Sequence, residues 1–173
     1  MKHLILGGAR SGKSRFAEYT GLATEKQLIY IATSQALDDE MQARIHHHQT
    51  SRDTRWVTVE EPLQLADALQ QHAAEDTCIL VDCLTLWLTN LLLAGDDIFI
   101  RERTALLDVI PQLTGDILLV SNEVGMGIVP LDPLSRRFVD EAGRLHQQLA
   151  SICDTVTLVA AGLPLSLKST GSA

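Results

Sequence analysis

Short apolar runs alternate along the chain with longer segments whose apolar residues recur at helical spacing. The apolar runs have the length and the Val, Ile and Leu content of buried strands, and they cover 4–6, 27–32, 78–82, 116–121 and 154–160. Strict alternation predicts another strand at 56–60, and 165–168 is expected to be an edge strand. Helices are predicted at 14–23, 37–51, 63–73, 83–94, 98–113 and 133–152. This order of elements predicts an α/β fold with a mainly parallel sheet flanked by helices.

Some element boundaries depend on single residues. Pro62 is expected in the first turn of the helix over 63–73, where proline costs no hydrogen bond. A surface turn is expected at 95–97, where a glycine precedes two aspartates. The last five residues are expected to fray.

Length and composition indicate one globular domain over 1–173, with 46% hydrophobic and 21% charged residues. The formal net charge of −8 argues against a nucleic-acid partner, which would require a basic face. No apolar run reaches the roughly 18–20 residues of a membrane span, and the first residues do not resemble a signal peptide. Cys78, Cys83 and Cys153 lack C-x-x-C spacing and are expected to be buried thiols in a reducing cytoplasm.

A glycine-rich loop lies between the first predicted strand and the first predicted helix. Its sequence, GGARSGKS at 7–14, fits G-x-x-x-x-G-K-[ST], the phosphate-binding loop. Backbone N–H groups and a helix N-terminus would surround the phosphates, Lys13 would contact the outer phosphates, and the Ser14 hydroxyl would bind Mg²⁺. The predicted nucleotide-binding residues are Gly7, Gly8, Ala9, Arg10, Ser11, Gly12, Lys13 and Ser14.

Polar residues follow several other predicted strands, where ligands of open α/β sheets bind. Asp82 ends a buried strand, as in the Walker B pattern that carries a carboxylate toward Mg²⁺. Thr33 and Ser34 would lie near the nucleotide if their strand adjoins the first, or they cap the next helix. Glu60 and Glu61 could equally be helix-dipole partners or contact ligand hydroxyls and ring nitrogens.

Three consecutive histidines, 46–48, end the predicted helix over 37–51. Neighbouring helical residues point about 100° apart, so the three cannot share one metal site. Spacing alone leaves two interpretations: imidazoles near a helix C-terminus, or one imidazole acting as a nucleophile or acid–base group.

Motifs over nearly the whole chain resemble the bifunctional adenosylcobinamide kinase/adenosylcobinamide-phosphate guanylyltransferase family. The matching stretches are GGARSGKSRFAE at 7–18, YIATSQALDDEMQARIHHH at 30–48, W-x-T-x-E at 56–60, LVDCLTLWLTNLL at 80–92, VSNEVGMGIVP at 120–130 and AGRLHQQLA at 142–150. The resemblance implies a RecA-like P-loop fold, often trimeric. It also implies phosphorylation of adenosylcobinamide by ATP or GTP, followed by transfer of GMP from GTP to adenosylcobinamide phosphate.

The family pattern R-I-x-H-H implies that His47 attacks the α-phosphorus of GTP. Its neighbour His48 is implied to bind the nucleotide and is the alternative candidate for the nucleophile. Thr33, Ser34 and Glu60 match family positions near the guanine nucleotide. Asp82 does so too, as a ligand of either metal or ribose.

Two other functions remain as alternatives for a chain with this phosphate-binding loop. A different small-molecule P-loop kinase would transfer only the γ-phosphate, and the chain shows no arginine-rich lid. A nucleotide switch or RecA-like assembly module should carry N-K-x-D or a basic face, and Asn122 is followed by Glu123 instead.

Overall fold

The structure, a computed structural model, describes residues 1–34 and 53–169. Its strands are β1 (Lys2–Gly7), β2 (Gln27–Ala32), β3 (Trp56–Glu60), β4 (Thr77–Asp82), β5 (Asp116–Asn122), β6 (Thr155–Ala160) and β7 (Leu163–Lys168). Its helices are α1 (Lys13–Leu22), α2 (Leu65–His72), α3 (Leu84–Ala94), α4 (Asp96–Val109) and α5 (Pro133–Ile152), with a 3₁₀ turn at Ile110–Gln112. The predicted helix over 37–51, including the histidines at 46–48, and the last four residues lie outside the described residues.

All described strands join one seven-stranded sheet in the order β3-β2-β4-β5-β1-β6-β7. Neighbours from β3 to β6 are parallel, and only β7 is antiparallel, at the edge beyond β6. The predicted α/β fold and its predicted edge strand are therefore confirmed.

Helices cover both faces of this sheet, which is why the central strands are apolar on both sides. Successive residues of β1 alternate between two core clusters: Leu4 and Leu6 pack with α2 to α5, and Ile5 packs with Ala17 of α1. Trp87, fully buried on α3, donates from its indole N–H to the Leu63 carbonyl at 2.8 Å. This bond fixes α3 against the segment that precedes α2.

Two of the boundary predictions were wrong. The expected turn at 95–97 is the start of α4: Gly95 is its N-cap, and Asp96 and Asp97 lie in its first turn, where carboxylates are favoured. Pro62 precedes α2 rather than opening it, because the Glu61 carboxylate accepts the N–H groups of Leu63 and Gln64 and delays the helix.

Cys78, Cys83 and Cys153 are buried and free, as predicted, and burial raises the pKa of the Cys78 thiol to about 11. None of the helices in the described residues is long and apolar enough to cross a membrane.

Candidate nucleotide-binding and catalytic site

The carboxyl ends of the parallel strands place the predicted site residues in a row along one edge of the sheet. Gly7 of β1 is in register with Asn122 of β5, and Ala32 of β2 is in register with both Asp82 and Glu60. With strands spaced about 4.8 Å apart, β4, which ends in Asp82, lies two strands or roughly 10 Å from β1, and β3, which ends in Glu60, lies four strands or roughly 19 Å from it. The row is therefore long enough for a nucleotide to lie across it.

The glycine loop occupies the β1–α1 junction, as predicted. Gly12 adopts a φ of +94°, which disfavours a side chain, and forms the N-cap of α1. The Ser11 carbonyl accepts a 2.8 Å hydrogen bond from the Gly162 N–H, which ties the loop to the β6–β7 turn. Residues 8–10 are exposed, so their backbone can meet a ligand.

Two polar groups of this loop are held inside it. The Lys13 side chain is only 8% exposed, and its ammonium donates to the Gly8 carbonyl at 3.2 Å. The Ser11 hydroxyl is buried and has no hydrogen-bond partner in the described part of the chain. Such an ammonium and such a hydroxyl can be satisfied by a phosphate, because both can donate to an anionic oxygen.

Gly7 and Gly8 offer a matched pair of substitutions. A Cβ on Gly7 would meet the Val159 carbonyl oxygen at 2.5 Å and the Ser11 hydroxyl at 2.4 Å, whereas one on Gly8 would meet nothing within 4 Å. We expect Gly7→Ala to lower the free energy of unfolding by about 3 kcal/mol, since backbone of β6 must shift, and Gly8→Ala to change it by less than about 0.5 kcal/mol. Urea unfolding of the nucleotide-free variants measures both values. Equal stability of the two variants would contradict the close approach of β1 and β6.

Asp82 and Ser14 were predicted to bind Mg²⁺, and their surroundings fit that ion. A Ser hydroxyl in the first turn of α1 and a half-buried carboxylate at the end of β4 are hard oxygen ligands. One Asp82 oxygen accepts the Tyr30 hydroxyl at 3.1 Å, which orients the carboxylate. Among the described residues, no group of three or more His, Cys, Asp or Glu side chains could hold a metal ion. Mg²⁺ commonly takes most of its ligands from water and substrate phosphates.

Thr33 and Ser34 were expected near the nucleotide if their strand, β2, adjoined β1. It does not, because β4 and β5 lie between these two strands. Thr33 is fully buried: its hydroxyl donates to the Cys83 carbonyl at 2.7 Å and accepts the Cys83 N–H at 3.0 Å. These bonds fix the backbone directly after Asp82. Ser34 is half-buried beside it, and nucleotide contact by either residue stays a prediction.

The two glutamates after β3 behave differently. The Glu61 carboxylate accepts two backbone N–H groups just before α2, which agrees with its predicted alternative as a partner of the helix N-terminus. Glu60 is exposed at the edge of the row and remains available to a ligand.

A buried polar network behind the loop after β5 could not be predicted from sequence spacing. His146 of α5 is 2.7 Å from the Ser121 hydroxyl through Nε2, and its Nδ1 is 3.8 Å from the Glu123 carboxylate. The Ser121 hydroxyl is 3.3 Å from that of Thr85, which accepts the Asn122 N–H at 2.7 Å. Burial lowers the pKa of His146, and the charge of Glu123 opposes that effect in part. The sequence signal was that 120–130 and 142–150, which contain Ser121, Glu123 and His146, both carry the family resemblance, without any indication that these side chains meet.

Several solved structures share this architecture, and one of them was determined in complex with ADP. The structure superposes on the phi6 bacteriophage P4 protein in complex with ADP with a TM-score of 0.52 at 14% identity, over 95% of this chain and 53% of that one. It superposes on the RadB recombinase at 0.53 and 15% identity, over 91% and 73% of the two chains. For the flagellar accessory protein FlaH of Methanocaldococcus jannaschii the values are 0.55 and 12%, over 99% and 80%. At these identities the likeness shows the fold alone, which is the predicted P-loop, RecA-like type.

Sequence comparison is more specific. The chain is 56% identical to the bifunctional adenosylcobalamin biosynthesis protein CobP of Pseudomonas aeruginosa, over 97% of this chain and 98% of the relative. It is 43% identical to the bifunctional adenosylcobalamin biosynthesis protein CobU of Salmonella typhimurium, over 97% and 100%. Residues 3–167 match the family described as cobinamide kinase/cobinamide phosphate guanyltransferase. The chain therefore belongs to the cobinamide kinase/cobinamide phosphate guanyltransferase family.

Proposed function

We propose that this chain phosphorylates adenosylcobinamide with ATP or GTP and then transfers GMP from GTP to the product, giving adenosylcobinamide-GDP. The observation that carries the proposal is the family match over residues 3–167, together with a formed phosphate loop in this structure. The loop supplies the part that both reactions need, which is a place for a nucleoside triphosphate.

In the kinase reaction, Lys13 and the backbone N–H groups of the loop hold the phosphates. The exposed backbone at 8–10 and the N-terminus of α1 present donors to phosphate oxygens. Ser14 and Asp82 would hold Mg²⁺, which supplies charge neutralisation on the phosphates when bound. The Tyr30 hydroxyl keeps the Asp82 carboxylate turned in one direction.

In the guanylyltransferase reaction, His47 is the proposed nucleophile. Its imidazole attacks the α-phosphorus of GTP, the bond from that phosphorus to pyrophosphate breaks, and GMP stays on the ring nitrogen. The phosphate oxygen of adenosylcobinamide phosphate then displaces the imidazole. Thr33, Ser34, His48 and Glu60 are proposed to position the guanine nucleotide, and the row of strand ends supports a ligand lying in that direction.

A homo-oligomer, a trimer by family resemblance, is also proposed. The well-exposed apolar side chains include Ile128 and Leu131 in the loop after β5 and Leu163 on the edge strand β7, at 98%, 97% and 72%. Exposed apolar surface and an uncovered edge strand support burial against another copy.

The direct test is a reaction of the purified chain with adenosylcobinamide, Mg²⁺ and GTP, followed by mass spectrometry of the corrinoid. We expect adenosylcobinamide phosphate first and adenosylcobinamide-GDP later. Omitting Mg²⁺ should stop both steps. Formation of the phosphate alone, with no GDP derivative at any time, would leave a plain P-loop kinase.

A further inference from the structure

Glu123 emerges beside the phosphate loop. Its backbone N–H donates to the Gly7 carbonyl at 3.0 Å, and the preceding residue, Asn122, is in register with Gly7. Strand β5 lies between β1 and β4, so Glu123 leaves the sheet between the glycine loop and Asp82. A phosphoryl group bound in the loop would therefore have Glu123 as its neighbour across the sheet edge.

The Glu123 carboxylate is partly open to solvent, accepts one hydrogen bond and lies near the imidazole of His146. The side chain is 22% exposed, Oε1 accepts the Gly125 N–H at 2.6 Å, and Oε2 lies 3.8 Å from Nδ1 of His146. Within residues 1–34 and 53–169, no Lys or Arg forms an ion pair with it. This matters because an ion pair with a cation would make a carboxylate a poorer proton acceptor.

The charge of Glu123 favours one direction of the hydrogen bonds behind it. A carboxylate only accepts protons, so its position 3.8 Å from Nδ1 of His146, which is longer than a hydrogen bond, favours the tautomer that carries the proton on Nδ1. Nε2 then accepts from the Ser121 hydroxyl at 2.7 Å, and Ser121 can accept from Thr85 at 3.3 Å. Burial lowers the pKa of His146, so the imidazole is neutral near pH 7 and this tautomer can persist.

We propose that Glu123 accepts the proton of the substrate hydroxyl in the kinase reaction and that His146 is the residue that positions it. The hydroxyl oxygen bonds to the γ-phosphorus, and the bond from that phosphorus to the β–γ bridging oxygen breaks. The nucleoside diphosphate leaves with that electron pair, and the proton moves to the Glu123 carboxylate and then to water. This inference rests on the proposed function, since it needs an alcohol as phosphoryl acceptor.

The other carboxylates along the row are less suited to this step. Asp82 lies one strand farther from the loop, and it is proposed to hold Mg²⁺. Glu60 lies four strands from Gly7. The N–H of Glu123, by contrast, bonds the Gly7 carbonyl directly.

The test compares two reactions of the same variants. Glu123→Gln is expected to lower kcat for γ-phosphate transfer to adenosylcobinamide about 100-fold, with KM for ATP changed by less than about threefold because ground-state binding is retained. Labelling of the protein by GTP carrying label on the α-phosphate involves no alcohol and should persist. Asp140→Asn, which removes an exposed carboxylate on α5, is the matched control and should match wild type in both reactions.

His146→Gln separates positioning from folding. The glutamine amide can still reach Ser121, but it places no N–H group at the position of Nδ1. We therefore expect kcat of the kinase reaction to fall about tenfold, with labelling by GTP unchanged. A purely structural role would lower both reactions together and in proportion to the loss of stability.

Three outcomes would overturn the inference. Glu123→Gln could keep wild-type kcat, or it could lose kinase and GTP labelling together, which would make Glu123 a nucleotide-binding or folding residue. If wild type phosphorylates no corrinoid, both the proposed function and this inference are wrong. If wild type phosphorylates the corrinoid and Glu123→Gln has the same kcat, the inference about Glu123 is wrong but the proposed function stands.

Discussion

Replacing His47 with alanine is expected to abolish covalent labelling of the chain by GTP that carries label on its α-phosphate. A neutral imidazole is a competent nucleophile, and alanine offers none in its place. Transfer of GMP to adenosylcobinamide phosphate should fall by at least about 10⁴-fold, as expected when a nucleophile is removed. The measurement is incubation with labelled GTP and Mg²⁺, followed by denaturing separation and counting of protein-bound label.

The stability of the label identifies the bond. A phosphorus–nitrogen bond to histidine should be labile in acid and stable in alkali, which separates it from an ester of serine or threonine. Transfer of γ-phosphate to adenosylcobinamide should persist in His47→Ala, because that reaction breaks a different bond of the nucleotide. Loss of both activities would instead indicate that the variant no longer binds nucleotide.

The neighbouring histidines provide the controls. His46→Ala should keep the label, and His48→Ala should keep it at a reduced rate, because His48 is proposed to contact the nucleotide. Label retained by His47→Ala but lost in one of these variants would move the nucleophile to that residue. The absence of label in every variant and in wild type, with γ-transfer intact, would refute the guanylyltransferase half of the proposal.

The strands and helices were predictable because local sequence determines them. The strand at 27–32 was predicted from a continuous apolar run and the strand at 56–60 from alternation, and both have the predicted bounds in the structure. Helix α5 also begins and ends where predicted, since Pro133 suits a first turn and the Asp132 carboxylate accepts the Ser135 N–H. The start of α4 was missed because Gly95 and two aspartates fit a turn as well as a helix N-terminus.

The site was predictable only where one short motif contains it. The glycine loop is local, so its residues and their position between β1 and α1 followed from the sequence. The order of strands in the sheet is not local, and for that reason Thr33 was considered a neighbour of the loop although two strands separate them. The pairing of Ser121 with His146, which is 25 residues away, depends on how α5 packs and leaves no periodic signal.

Replacing Lys13 with alanine is expected to reduce the kinase and the guanylyltransferase reactions together, each by about 10³-fold. The Lys13 ammonium is held within the loop by the Gly8 carbonyl at 3.2 Å and is 8% exposed. It is therefore preorganised to stabilise negative charge that develops on phosphate oxygens, and removing one such donor typically costs about 10²–10³-fold. A full charge inside the protein is expected to lie at the upper end of that range.

Arg15→Ala is the matched control, because Arg15 lies two residues farther along α1 and its exposed side chain contacts only the Tyr19 hydroxyl, at 3.5 Å, and the Tyr19 ring among the described residues. It should retain both activities. The midpoint of thermal unfolding adds a measure of binding: GTP should raise it in wild type and in Arg15→Ala, and much less in Lys13→Ala, because a ligand stabilises only the state that binds it.

Comparing the losses of kinase and guanylyltransferase rate in Lys13→Ala shows whether both reactions use the same phosphate-binding loop. The kinase reaction acts at a γ-phosphorus and guanylylation acts at an α-phosphorus, yet the described residues contain a single G-x-x-x-x-G-K-[ST] loop, at 7–14. Equal losses would mean that both nucleotides bind in this loop and that the attacking group changes. A variant impaired in γ-transfer but labelled normally by GTP would require a second phosphate site. Together with His47→Ala and Glu123→Gln, which are expected to remove one reaction each, Lys13→Ala separates shared binding from the two chemistries.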